Sequence, residues 1–193
     1  MQRFPYCTIT WVDRACARTG VRMTHLERRR LIAALLSRQH LILSGRSGIG
    51  KRQLAHALAL SIAGGRQDHV RQIQGHPWWA ASTGNIARYV GLQTEFNTWR
   101  LTDFLSFALR GRQPLPRDQA ERESGGYVVC VERMSPIEID FYFGALSWWL
   151  IKGVPDQVSN VSLRLIGTYD SDTSPGLDDR IGHIAALVHL DSA

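Results

Sequence analysis

Apolar residues recur along this chain with two periods. Unbroken or alternating runs at 41–43, 69–73, 127–131, 161–166 and 184–190 have the length and spacing of strands. Between them lie stretches at helical spacing: Leu26, Leu31, Ala34 and Leu35, then Leu54, Ala57, Leu58 and Ser61, then Leu101, Leu105 and Ala108. Thr24 with Glu27 three residues on forms a capping box, so the first of these helices starts there and should run to about Ser37. Gly64-Gly65 stops the second. A further helix is expected over 140–152, with Phe141, Ala145, Trp148 and Trp149 as its bulky contacts, and a short one near 84–90. The breaker-rich stretch from 110 to 126 reads as a surface loop. Residues 1–22 carry little periodicity, and Tyr6–Val12, β-branched and aromatic, is expected to be extended. The division that results is an N-terminal extension, 1–23, and one α/β core, 24–193.

The junction of the first strand and the second helix carries the chemistry. Gly45-Arg46-Ser47-Gly48-Ile49-Gly50-Lys51-Arg52 matches the phosphate-loop template G-x-x-x-x-G-K-[ST] at Gly45, Gly50 and Lys51, and fails it at Arg52. Glycines let backbone N–H groups wrap an anion, the helix N-terminus adds partial positive charge, and lysine reaches the outer phosphates. The last position should hold a hydroxyl for magnesium, and arginine has no acceptor with which to ligate a metal. The motif therefore points to nucleotide binding and questions hydrolysis.

Composition sharpens one residue. Of 23 Lys plus Arg, only Lys51 and Lys152 are lysine, so a position wanting any cation would here hold arginine, and lysine at 51 is selected for its compact head and reach. The formal charge of +6 is uneven: up to residue 52 there are eleven Lys or Arg against Asp13 and Glu27, and after it twelve against fifteen acids. This basic front, centred on Arg14, Arg18, Arg22 and Arg28–Arg30, suits a solvated face with a field favouring polyphosphate, ahead of a nucleic-acid surface. No apolar run approaches a membrane span and no signal-peptide pattern opens the chain, so a cytoplasmic protein is expected. Cys7, Cys16 and Cys130 lack metal-ligand spacing and are expected as reduced thiols. The pair Trp78-Trp79 reads as a packing or subunit contact ahead of a base-stacking platform.

Tyr127-Val128-Val129-Cys130-Val131-Glu132 fits a strand buried on both faces and ended by a carboxylate. The second nucleotide motif has two acids after such a strand, the first ordering magnesium and the second polarising the attacking water. Here the first position is Val131 and the second Glu132, a loss parallel to that at Arg52. Ile166-Gly167-Thr168-Tyr169-Asp170 ends another strand in small polar groups, where ligands gather in open α/β sheets, so Thr168 and Asp170 are candidate sensors of a terminal phosphate. Gln39 and His40, just before the first strand, are candidates for the base pocket. Arg180 either acts across a subunit boundary or pairs with Asp178 or Asp179.

Together these stretches resemble a AAA+ ATPase core, specifically the branch with the GTPase subunit of methyl-directed restriction systems and the neuron navigator proteins. The resemblance rests on Gly45–Lys51, Tyr127–Glu132, Ile166–Asp170 and Asp179-Arg180, and spans about residues 24–190. It implies a five-stranded parallel sheet of order 5-1-4-3-2 and a purine nucleotide, ATP or ADP with GTP as the alternative, bound at an interface in a homo- or hetero-oligomer. In such a family Gly45–Gly50 hold phosphate, Lys51 contacts its outer oxygens, Glu132 is the catalytic base, Thr168 and Asp170 sense phosphate, and Arg180 acts in trans. Arg52, Val131 and the short stretch after the last strand, which leaves no room for a helical lid, depart from the pattern. The favoured expectation is a nucleotide-binding regulatory or assembly module with weak or no hydrolysis, its use of Mg2+ left open. The alternatives are a slow magnesium-dependent ATPase using Glu132, a P-loop small-molecule kinase, and a ligand-free scaffold that binds nucleic acid or protein.

Overall fold

The capping box at Thr24 forms as its spacing predicts. The backbone N–H of Thr24 donates to Glu27 Oε2 at 2.6 Å, and the Glu27 N–H donates to Thr24 Oγ1 at 3.2 Å. The computed structural model describes residues 4–37, 40–74, 107, 126–134, 163–172 and 185–190, with side chains from Thr8 onward. The expectations for Trp78-Trp79, for helices near 84–90 and over 140–152, for the 110–126 loop, for Gln39 and for Arg180 lie outside those residues, and of the helix around Leu101–Ala108 only Phe107 is described.

Three α-helices, five strands and one 3-10 turn, Gln67–His69, are described: α1 (Phe4–Thr19), α2 (His25–Ser37), β1 (His40–Gly45), α3 (Lys51–Ile62), β2 (Val70–Gln74), β3 (Tyr127–Met134), β4 (Leu163–Asp170) and β5 (Ala185–Leu190). All four strand pairings are parallel, and the order is β2-β3-β4-β1-β5. Read from the β5 edge this is 5-1-4-3-2.

Strand side chains alternate between the two faces of the sheet. On one face Leu41, Leu43, Val128, Cys130, Ile166, Val188 and Leu190 join Leu54, Ala55, Leu58 and Ile62 of α3 in one core. The alternate positions, Ile42, Val129, Val131 and Leu165, are fully buried too. Such double burial is what continuous apolar runs in a parallel sheet imply. The β2 edge differs: Val70 is buried, beyond it half-exposed and exposed positions alternate, and His69 stacks on Tyr127 at 4.0 Å between ring centroids.

Two expectations need correction. Tyr6–Val12 is not extended but part of the sixteen-residue α1. Thr8, Val12 and Ala15 are buried and spaced four and three apart, so they form one helical stripe, which reaches the core shared with α3. Two of the three are a threonine and an alanine, which a count of large apolar residues overlooks. In α2, Leu26 is 56% exposed, and Glu27 takes its place on the buried side because the capping box draws the carboxylate in. Leu31, Ala34 and Leu35 are buried as expected.

Candidate functional site

The loop between β1 and α3 lies at the C-terminal edge of the sheet, beside the ends of β4 and β5. Gly45, Gly48 and Gly50 have φ of 144°, 86° and 87°, conformations that side-chain-bearing residues rarely adopt. At Gly45 a Cβ would collide with the Leu190 carbonyl oxygen, and at Gly50 it would lie 2.7 Å from Val21 Cγ2, so both glycines are demanded by close neighbours as well as by φ. Arg46, Ser47 and Gly48 are exposed at the loop tip, with Ile49 and Gly50 half-buried. Gly50 caps α3, its carbonyl accepting the Leu54 N–H at 2.9 Å.

Lys51 is the first residue of α3, and its side chain is only 5% exposed. Its ammonium donates to the Gly45 carbonyl at 2.8 Å and to the Arg46 carbonyl, and pairs with Asp170 Oδ1 at 2.7 Å. The register explains Asp170: Gly45 lies opposite it across the β1–β4 pairing, so both strands end at the same height. Two candidates read from distant motifs, Lys51 and Asp170, are thus in direct contact.

The loop also meets an anion of the protein's own. Asp172, two residues past the end of β4, accepts the Ser47 backbone N–H at 3.3 Å, and the Ser171 N–H donates to Gly45 O at 3.0 Å. A carboxylate on a loop amide stands in for a phosphate oxygen, because both are anionic acceptors. Positive-φ glycines, a lysine folded over the loop and an amide that already holds an oxyanion suit a polyphosphate. Gly45–Lys51 would hold it, and a bound nucleotide would supply the phosphoanhydride.

Arg52 and Glu132, eighty residues apart, form the second part of the site. Arg52 Nε lies 2.8 Å from each carboxylate oxygen of Glu132, with Arg52 62% exposed and Glu132 10%. Glu132 arrives there from an irregular strand. Val131 pairs with Gly167 and Met134 with Tyr169, so Glu132 and Arg133 together oppose Thr168 in a bulge. Arg133 has φ of 52°, and its N–H donates to Thr168 Oγ1 at 3.0 Å. The hydroxyl of Thr168, 4% exposed, therefore fastens the bulge beside Glu132.

These residues do not fit a divalent cation. Arg52 offers no acceptor, Val131 is apolar and fully buried, Glu132 is engaged by a guanidinium and Asp170 by an ammonium. Among the described residues no group of three or more His, Cys, Asp or Glu side chains is placed to hold a metal.

His40 stands away from the loop, at the start of β1. It is buried, its Nδ1 accepts the Leu165 N–H at 3.1 Å, and burial, helped by the nearby Arg164 charge, pushes its pKa down to about 4. Cys130 is a buried free thiol whose pKa is pushed up to about 12, mainly by burial and then by the Glu132 charge. Cys16 is also a free thiol. Reading single motifs misses the Arg52–Glu132 pair, the Arg133 bulge and Asp172. Asp172 alone had a local signal, being an acid just beyond a strand end that already carried candidates.

No family model matches the chain, and no curated protein matches it. The solved structures similar to it include that of C. elegans PCH-2, at 13% identity and a TM-score of 0.44, and the E. coli MS115-1 HORMA:CdnC:Trip13 complex, at 13% and 0.42. Each match covers 99% of this chain, which spans 43% and 60% of the matched chains. Among the described residues no helix is long and apolar enough to cross a membrane.

Proposed function

We propose that this chain is a AAA+-like P-loop domain that binds a purine nucleotide with little or no hydrolysis and serves as a regulatory or assembly module. The carrying observation is the loop itself: three positive-φ glycines ahead of a buried lysine whose ammonium closes back on Gly45 O and Asp170. On binding, Lys51 exchanges these oxygens for those of phosphate, and loop amides such as that of Ser47 exchange Asp172 for the ligand. Gly45–Gly50 make the cradle, with Asp170 the group that senses whether Lys51 has moved. Thr168 acts through the Glu132 bulge.

Weak turnover follows from the metal positions. Arg52 and the buried Val131 stand where a hydroxyl and a carboxylate would order the ion that promotes phosphoryl transfer. In this reading Arg180 acts across a subunit boundary, residues 24–193 carry the nucleotide-binding elements, the segment 1–23 precedes them with α1 packed into the same core, and the location is cytoplasmic.

Titration with a fluorescent ADP or ATP analogue tests the reading. Saturable binding that Lys51→Ala weakens by about tenfold or more is expected, since a charge-assisted contact is lost. Absence of saturable binding overturns the nucleotide reading. Steady-state phosphate release above a Glu132→Gln control would make the protein an ATPase and overturn the assignment of little or no hydrolysis.

A further inference from the structure

We infer that the cradle takes its nucleotide free of divalent metal, and that Arg52 supplies the charge a metal would bring, leaving Glu132 for phosphate when the ligand enters. The inference rests on the nucleotide reading above and adds the ionic form of the ligand and the residue that recognises it.

Three observations carry it. First, the two positions that would order a cation hold an arginine and a buried valine, Asp170 and Glu132 each already face a cation, and Asp172 is taken up by the Ser47 N–H of the loop. A divalent ion placed here would meet Lys51 and Arg52 at close range and few oxygen donors, which hard cations require. Second, Arg52 follows Lys51 in the first turn of α3, so its guanidinium belongs to the same helix N-terminus as the loop amides. A planar guanidinium binds phosphate oxygens in a bidentate fork and stays charged at any ordinary pH. Third, the Arg52 side chain is 62% exposed, while its partner Glu132 is largely buried on a strand fixed by the Thr168 bulge. The arginine can therefore leave, and the carboxylate cannot follow it. With one partner mostly in water the pair is worth less than a fully buried one, so the guanidinium can exchange one oxyanion for another at modest cost.

The exchange predicts opposite signs at the two partners. Removing Arg52 removes a phosphate contact, whereas removing the Glu132 charge frees Arg52 and takes a negative charge away from the entering phosphates.

The test measures the dissociation constant of unmodified ADP, by calorimetry, in excess EDTA and in excess magnesium. For the wild type the two values should agree within about threefold, and Arg52→Gln should weaken binding in EDTA by about tenfold while Glu132→Gln tightens it by about threefold. Circular dichroism and thermal unfolding show whether each variant is folded. The wild-type comparison needs no variant. Binding that appears only with magnesium, or is tighter by about tenfold or more with it, overturns the inference and leaves the nucleotide reading standing. Unchanged affinity in EDTA for a folded Arg52→Gln, or weaker binding by a folded Glu132→Gln, also overturns it. No binding in either condition overturns both.

Discussion

Lys51 and Arg52 are neighbours in sequence, carry the same charge and sit in opposite surroundings. Lys51 is 5% exposed and held by two backbone carbonyls and the Asp170 carboxylate, whereas Arg52 is 62% exposed and meets the single carboxylate of Glu132. The difference comes from helix geometry. Consecutive residues in the first turn of α3 point about 100° apart, so one turns under the loop and the other out across the top of β3. The cation under the loop is held by several oxygens at once and is tied into the fold until phosphate replaces them, whereas the one outside has a single partner to exchange. Experiments can press on this contrast at four places.

The largest effect is expected beneath Lys51. Its pocket exists because Gly45 lets the chain turn with φ of 144° directly against the Leu190 carbonyl. Gly45→Ala should lower stability by about 3 kcal/mol or more, since strained φ and a clash with backbone cannot be relieved by a side-chain shift. Gly48→Ala, where a Cβ meets nothing within 4 Å, carries only the backbone strain and should cost about 1 kcal/mol. Denaturant unfolding reads both, and equal costs would show that the loop does not press on β5.

Acid attacks the same strand from its other end. His40 opens β1 and is held neutral, with its pKa pushed down to about 4 from an ordinary value of 6.5. Between those values the unfolded chain binds a proton that the folded chain refuses, so stability is complete above pH 6.5 and falls as pH drops towards 4. The loss amounts to at most about 3 kcal/mol. His40→Asn keeps an acceptor near the Leu165 N–H and removes the titration, so its unfolding free energy should be flatter over this window. An equally steep curve would assign the acid sensitivity to other groups.

How much of this contrast the sequence discloses depends on how far apart the partners lie. The loop, its glycines and Lys51 are legible because an apolar strand, a glycine-rich turn and an amphipathic helix follow one another within about two dozen residues. The strands β3, β4 and β5 are legible as apolar runs. Helix α1 is not, because its buried stripe is made of Thr8, Val12 and Ala15, and Thr8–Val12 by itself has the composition of a strand. The pairing of Arg52 with Glu132 is not legible either. Arg52 looks like a defect in its motif and Glu132 like the surviving acid of another, and the β3 bulge, fastened by Thr168, is where they meet at 2.8 Å. Thr168 is legible as a polar strand end, but the N–H it accepts belongs to a residue thirty-five positions away.

Removing the Lys51 ammonium tests whether that cation belongs to the fold. Lys51→Met keeps the aliphatic stem and takes away the donor shared by three oxygens. Gly45 O still accepts the Ser171 N–H and Asp170 is 27% exposed, so water and existing bonds make good part of the loss. A cost of about 2 kcal/mol is expected, below that for a fully buried pair. Asp170→Asn in the same background should then add little, because the partner it would lose is already gone.

At Arg52 the same operation should hardly register. Arg52→Ala removes a guanidinium that is mostly in water already, and its departure opens Glu132 to solvent, which hydrates the carboxylate in place of the lost bond. The cost should stay below about 1 kcal/mol, and the coupling to Glu132→Gln in a double-mutant cycle below that of Lys51 with Asp170. Two cycles on four residues thus measure the contrast directly by urea unfolding, with no ligand present. If the Arg52–Glu132 coupling equals or exceeds the other, the arginine is a fixed strut between α3 and β3. It could not then exchange Glu132 for phosphate at little cost, and the fold would owe as much to the outer cation as to the inner one.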